Sequence, residues 1–129
     1  MQIGVGATGV ASMAVTSGDT AIAVGSGDVP VLGTPRVIAL MEQATCEALR
    51  GSLPDTHTSV GAQVSVSHRK PTPVGSQVTA RAIVSAVDDQ VISFDVSADH
   101  ETASGEREAG IAAGTITRVV VNRERFDAR

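Results

Sequence analysis

Residues 33–51, GTPRVIALMEQATCEALRG, decide the fold, because they are the one stretch of the chain that reads as a long helix. Thr34 is a good N-cap, and Pro35 then falls at the first helical position, where a missing N–H costs nothing. Gly51 marks the stop, with Pro54 beyond it. At about 100° per residue, Thr34, Ile38, Met41, Thr45 and Leu49 share one side, and Arg36, Gln43, Glu47 and Arg50 the other. Glu42 falls at the edge of the apolar stripe, within about 40° of Ile38 and about 20° of Leu49. A carboxylate there is partly desolvated, so it has to be paired, hydrogen-bonded or used in chemistry.

Upstream of the helix, residues 25–33, GSGDVPVLG, form a glycine-rich connector without the GxxxxGK[ST] pattern of a phosphate loop. Before it, residues 7–16 read as a weak strand, and Thr20 to Val24 as a short second strand after a turn at Ser17-Gly18-Asp19. Downstream the pattern changes to a period of two. Val60, Ala62, Val64, Val66 and His68 alternate with Gly61, Gln63, Ser65 and Ser67, which predicts that His68 shares the valines' helix-facing side. Ser76 to Val87 and Gln90 to His100 form the next two strands, joined by a tight turn at Asp88-Asp89. In the second of these, Ile92, Phe94 and Val96 take the inner face. The last strand runs from Glu108 to Val121, where Gly110, Ala112 and Gly114 leave one face nearly bare. The tail, Asn122 to Arg129, is charged and expected to be solvated.

A chain of 129 residues is expected to make one domain, residues 1–129. A formal net charge of −4 and an aromatic content of 2%, Phe94 and Phe126 alone, argue against nucleic-acid binding, which needs a basic face and stacking platforms. The single cysteine, Cys46, rules out an internal disulfide and a cysteine-based zinc cluster. Asp99, His100 and Glu101 lack metal-ligand spacing, so no metal site is expected, and His57 and His100 read as surface residues. No run approaches the roughly 18 apolar residues of a membrane span. With no basic start ahead of a hydrophobic block, the expectation is a reduced, cytoplasmic protein without a membrane partner.

Two short strands, one long helix and four antiparallel strands make an α+β design, a sheet packed on a helix. Three stretches then carry a specific resemblance: GTPRVIALMEQA at 33–44, VSVSHRKPTPVG at 64–75 and GTITRVVVNRERF at 114–126. Together they resemble the hotdog-fold thioesterases, in which a sheet wraps a central helix, and within them the fluoroacetyl-CoA thioesterase-like group. That group carries a threonine just before the helix, a glutamate eight residues on and a histidine ending the next strand. Thr34, Glu42 and His68 stand in those places. The resemblance implies a thioesterase that hydrolyses a short-chain acyl-CoA, with catalytic Thr34, Glu42 and His68, and substrate-binding Gly33, Arg69, Lys70 and Arg118. It also implies a homodimer, and no cofactor other than the coenzyme A that is part of the substrate.

The chemistry suits those residue types. Thioester hydrolysis needs a polarised carbonyl, a nucleophile and a proton for the leaving thiolate. A helix N-terminus can stabilise an oxyanion, and histidine titrates near neutral pH. Glu42 could orient water, attack the carbonyl or fix the tautomer of His68. The chain departs from the group in its connector, which is short and free of aromatics, so selectivity for a fluorinated acyl group does not follow. Two rivals share the fold. A hotdog enoyl-CoA hydratase would carry Asp and His close together in one motif at the start of the helix, which is absent here. A non-catalytic acyl-CoA binding module would keep the pocket without turnover.

Overall fold

The alternating segments after residue 56 become four long antiparallel strands in the computed structural model, which describes residues 2–127. They are β2 (His57–His68), β3 (Gln77–Asp88), β4 (Val91–Glu101) and β5 (Arg107–Asn122). With β1 (Thr8–Ala14) they form one five-stranded sheet in the order β1-β3-β4-β5-β2, every neighbouring pair antiparallel. A 3₁₀ turn at Ser17–Asp19, the short α1 (Ala21–Val24), the long α2 (Thr34–Ala48) and a terminal turn of helix, α3 (Glu124–Asp127), complete the regular elements of the described residues.

Helix α2 lies on the inner face of the sheet. Its Val37, Leu40, Met41 and Ala44 pack with Val78, Val84, Ile92, Phe94 and Ile116 into the core. Ile92, Phe94 and Val96 point inward as their alternation predicts. Gly9 of β1 sits against α2 so closely that a Cβ there would overlap the main chain at Ala44 and Ala48. This contact rotates the helix. Its covered side is Val37, Leu40, Met41, Ala44, Thr45 and Ala48, while Thr34 is exposed and Ile38 half-buried. The Thr34–Ile38–Glu42 flank therefore turns toward β2 at the edge of the sheet.

The sequence reading needs correction at four places. Thr20 to Val24 is not a strand: Thr20 caps α1, accepting a hydrogen bond from the Ala23 N–H at 3.2 Å, and Gly25 closes it with φ of 77°. Only Thr20 keeps an extended bridge, to Leu32. The N-cap of α2 is Gly33, which puts Thr34 at the first helical position and Pro35 at the second. In β2 the register slips between Gly61 and Gln63, leaving Ala62 as the extra residue of a bulge. Opposed residues of an antiparallel pair share a face. Val64, Val66 and His68 therefore stay on the helix side with Ile116, Gly114 and Ala112, but Val60 pairs with Val119 on the outer face and Gly61 joins Arg118 on the inner one. Finally, His100 is not a surface residue: it is only 6% exposed, and its Nδ1 lies 2.6 Å from Thr72 Oγ1.

Residues Asn122 to Phe126 of the tail are exposed, and Ala128 and Arg129 lie outside the described residues. Among the described residues no helix is long and apolar enough to cross a membrane.

The close contact at Gly9 gives a stability test. Gly9→Ala forces backbone away from backbone, and overpacking of this kind costs about 1–3 kcal/mol. Urea denaturation should show a lower midpoint with an unchanged slope. An unchanged midpoint would mean that β1 and α2 are not in this contact.

Candidate active site

The start of α2 is fixed from two sides. The Asp19 carbonyl accepts the Gly33 N–H at 2.9 Å, and its carboxylate takes Arg36 Nε at 2.9 Å on the first turn of the helix. The other carboxylate oxygen accepts the N–H and the hydroxyl of Thr16 at 2.8 and 2.9 Å. Chiefly through the Thr16 N–H, these contacts hold the Asp19 carboxyl below its ordinary pKa, against the opposing effect of burial. On the other side the Leu32 N–H donates to the Thr72 carbonyl at 2.9 Å.

Thr34 thus presents its hydroxyl beside the end of β2, where Oγ1 lies 2.7 Å from His68 Nδ1. Burial lowers the His68 pKa from its ordinary value, an effect that the backbone of Lys70 only partly offsets, which favours the neutral ring. Its Nε2 is buried without a hydrogen-bond partner among the described residues. Beside the pair opens a cavity of about 360 Å³, walled by Val29, Val31 and Leu32 of the connector and by Arg69, Lys70 and Pro71. A hydroxyl within hydrogen-bond reach of a neutral imidazole, at the positive end of a helix, can exchange a proton with a reacting group and stabilise developing negative charge.

Glu42 stands two turns along the same helix and belongs to a second cluster. Its Oε2 lies 3.3 Å from Arg118 Nη1. Arg118 is itself 7% exposed, and it donates through Nε to Ser59 Oγ at 2.8 Å and through Nη2 to the Ser59 carbonyl at 3.0 Å. Gly61 lies directly under the carboxylate, and a Cβ there would collide with Glu42 Oε2. The bulge at Ala62 therefore has a local consequence: it places glycine rather than Val60 beneath Glu42.

Of the residues singled out in the sequence, the structure brings together Thr34 with His68 and Glu42 with Arg118, but does not join the two pairs within one chain. His68 has Thr34, not Glu42, on Nδ1. Arg69 is exposed at the cavity wall, whereas Lys70 makes a surface ion pair with Glu108 at 2.8 Å. Gly33 is buried under Val24 and Ser26, so its lack of a side chain serves packing. Sequence reading missed Asp19, Ser59 and Gly61. Thr16-Ser-Gly-Asp19 is a capping-box pattern, and a glycine inside an alternating strand is a bulge signal, so two of these were available. Among the described residues no group of three or more His, Cys, Asp or Glu is placed to hold a metal ion.

An antiparallel sheet packed on one long helix, with hydroxyl and imidazole meeting at the helix start, defines the chain as a hotdog-fold protein. More narrowly, the chain belongs to the FlK family of fluoroacetyl-CoA-specific thioesterases, whose pattern matches residues 15–124. The fluoroacetyl-CoA thioesterase of Streptantibioticus cattleyicolor is 34% identical over 99 residues, which are 77% of this chain and 67% of that protein. A solved structure of the fluoroacetyl-CoA thioesterase FlK superposes with a TM-score of 0.83 at 25% identity, covering 99% of this chain and 95% of that one. A thioesterase superfamily member from Thermus thermophilus shares the fold, with a TM-score of 0.83 at 20% identity over 98% of this chain and 90% of its own.

The Gly61 contact separates site geometry from folding. Gly61→Ala meets only the end of a flexible side chain, so Glu42 moves aside and the fold survives. The expected result is a melting temperature within a few degrees of wild type and turnover lowered about 10- to 100-fold, the scale for a misplaced reacting group. Wild-type turnover in Gly61→Ala would remove Glu42 from the reaction.

Proposed function

We propose that this protein hydrolyses an acyl-CoA thioester to the free acid and coenzyme A, with Thr34, Glu42 and His68 as its reacting groups. The observation that carries this reading is the 2.7 Å contact between Thr34 and His68 at the helix start, inside a family of thioesterases. Neutral His68 takes the proton of the attacking Thr34 hydroxyl and returns it to the departing thiolate, and the helix N-terminus faces the oxyanion. Glu42, paired with Arg118, then orients the water that attacks the acyl-threonine ester, and His68 passes that water's proton to the departing Thr34 oxygen.

Glu42 lies about 12 Å along the helix axis from Thr34, too far for direct contact. A homodimer supplies the missing half. The edge strand β2 is exposed from Val60 to Ser65, and its residues 58–67 carry no charge and no proline to blunt the edge. Two such edges paired antiparallel around Val64–Ser65 would set His68 of one chain opposite the partner subunit's Gly61, and therefore near the partner subunit's Glu42. Arg69, at the wall of the cavity, then suits the phosphates of coenzyme A, and a reducing compartment such as the cytoplasm suits a chain whose one cysteine, Cys46, is exposed and free. The aromatic-free connector leaves the acyl group general and not restricted to fluoroacetyl.

Steady-state kinetics test the site. His68→Ala and Glu42→Gln should each lower kcat by about 10² to 10⁴ with circular dichroism unchanged, and Thr34→Ser should keep more activity than Thr34→Ala. Co-expression of the His68→Ala chain with the Glu42→Gln chain should then restore activity, because one of the two sites in a mixed dimer draws both intact residues. Mixed dimers as inactive as the parents would place all three residues in one chain's site.

The pH profile gives a further check. Burial lowers the His68 pKa, and the neutral ring is the reactive form, so kcat/KM should fall on the acid side with an inflection below 6.5. An acid limb above that value would assign the titration to another group.

A further inference from the structure

The buried pair His100 and Thr72 lies outside the reacting set, yet it braces both segments that hold Thr34 and His68. Thr72 is fully buried and His100 nearly so, and the hydroxyl and the ring Nδ1 meet at 2.6 Å. Such a contact could be a satisfied core hydrogen bond and nothing more. What distinguishes it is where Thr72 sits in the chain. It follows His68 by four residues, at the bottom of the loop that leaves β2. Its carbonyl accepts the Leu32 N–H at 2.9 Å, two residues before Thr34, and the adjacent Pro73 bridges Val31. Leu32 is 1% exposed, so neither it nor Thr72 can shift without repacking. The loop that follows His68 and the connector that precedes Thr34 are thus tied together at one residue, and the hydroxyl of that residue is held by His100 on β4.

We propose that His100 is a positioning residue for the reaction: by holding the Thr72 hydroxyl it sets the spacing between Thr34 Oγ1 and His68 Nδ1. It rests on the functional reading above only in taking that pair as reactive. His100 touches no substrate. Its effect runs through Thr72 to the two ends of the Thr34–His68 contact, where a displacement near 1 Å is enough to cost about 100-fold in rate. Truncating His100 leaves a buried hydroxyl unpaired, which favours a shift of the loop toward a new partner. Asparagine can reproduce the position of Nδ1 and keep the bond.

The test uses Thr72→Val, His100→Ala and His100→Asn in the full chain, below every variant's unfolding temperature. Turnover of an acyl-CoA that wild type hydrolyses is measured beside the imidazole NMR signals of His68, one of only three histidines in the sequence. The expected result is that Thr72→Val and His100→Ala lower kcat about 10- to 100-fold with KM changed less than threefold, and shift the His68 signals. His100→Asn recovers most of the rate and the wild-type His68 shifts. Should His100→Ala fail to fold, Thr72→Val decides alone, since it removes one hydroxyl and keeps the shape. Folded Thr72→Val with wild-type kcat and unmoved His68 signals overturns the proposal. So does a loss of activity that His100→Asn does not recover. A wild-type protein that releases no thiol rejects the functional reading instead, and in that case a His68 signal displaced by Thr72→Val still supports the positioning.

Discussion

The contact of main chain with main chain at Gly9 governs how helix α2 sits on the sheet. With no side chain between them, β1 and the C-terminal part of the helix approach until Ala44 and Ala48 meet the strand, and the larger Val37, Leu40 and Met41 pack into the core beside them. A helix seated there cannot also cover β2. Its Thr34–Glu42 flank is left facing an edge strand that carries Gly61 and His68, and the two polar contacts of the site form along that seam. The hydrophobic packing on one side of the helix thereby fixes where the two polar pairs form on the other.

The two polar contacts have different physical characters. Thr34 and His68 are an uncharged hydroxyl and an imidazole beside open space, and burial lowers the pKa of the ring, which favours its neutral form. Glu42 and Arg118 are charged. The guanidinium is nearly inaccessible and is satisfied by Ser59 as well as by the carboxylate, so removing the carboxylate leaves a buried cation short of a partner. Glutamine retains an acceptor for Arg118 and loses only the charge, which makes it a cleaner probe of chemistry than alanine. Asp19 plays a supporting role of the same kind, joining Thr16, Gly33 and Arg36 so that the first turn of the helix has one position.

Much of this was legible in the sequence because its signals are local. Pro35 and Gly51 bracket the helix, strict alternation marks the strands, and the position of Glu42 at the stripe's edge announces a carboxylate that needs a partner. What failed was non-local or depended on a single inserted residue. Arg118 reaches Glu42 across 76 positions of sequence, and no spacing rule connects them. Ala62 breaks the parity of β2, which moves Val60 to the outer face and brings Gly61 inward. Thr20 to Val24 is too short and too uniformly apolar for periodicity to separate strand from helix, and the cap at Thr20 decided it. His100 looked solvated because Asp99 and Glu101 flank it, yet strand alternation turns those neighbours away and carries the imidazole inward opposite Val78.

With Phe94 locked in the core and Phe126 exposed on the terminal turn, the chain has no aromatic side chain near the cavity. The central claim is therefore hydrolysis of acyl-CoA thioesters without dependence on a fluorinated acyl group. Its most direct test is spectrophotometric thiol release by the wild-type protein across a series of acyl-CoA chain lengths, run beside fluoroacetyl-CoA. The account predicts catalytic release of coenzyme A from several unfluorinated acyl-CoA substrates. Acyl-CoA binding without thiol release, or hydration of an enoyl-CoA with the thioester left intact, would contradict it.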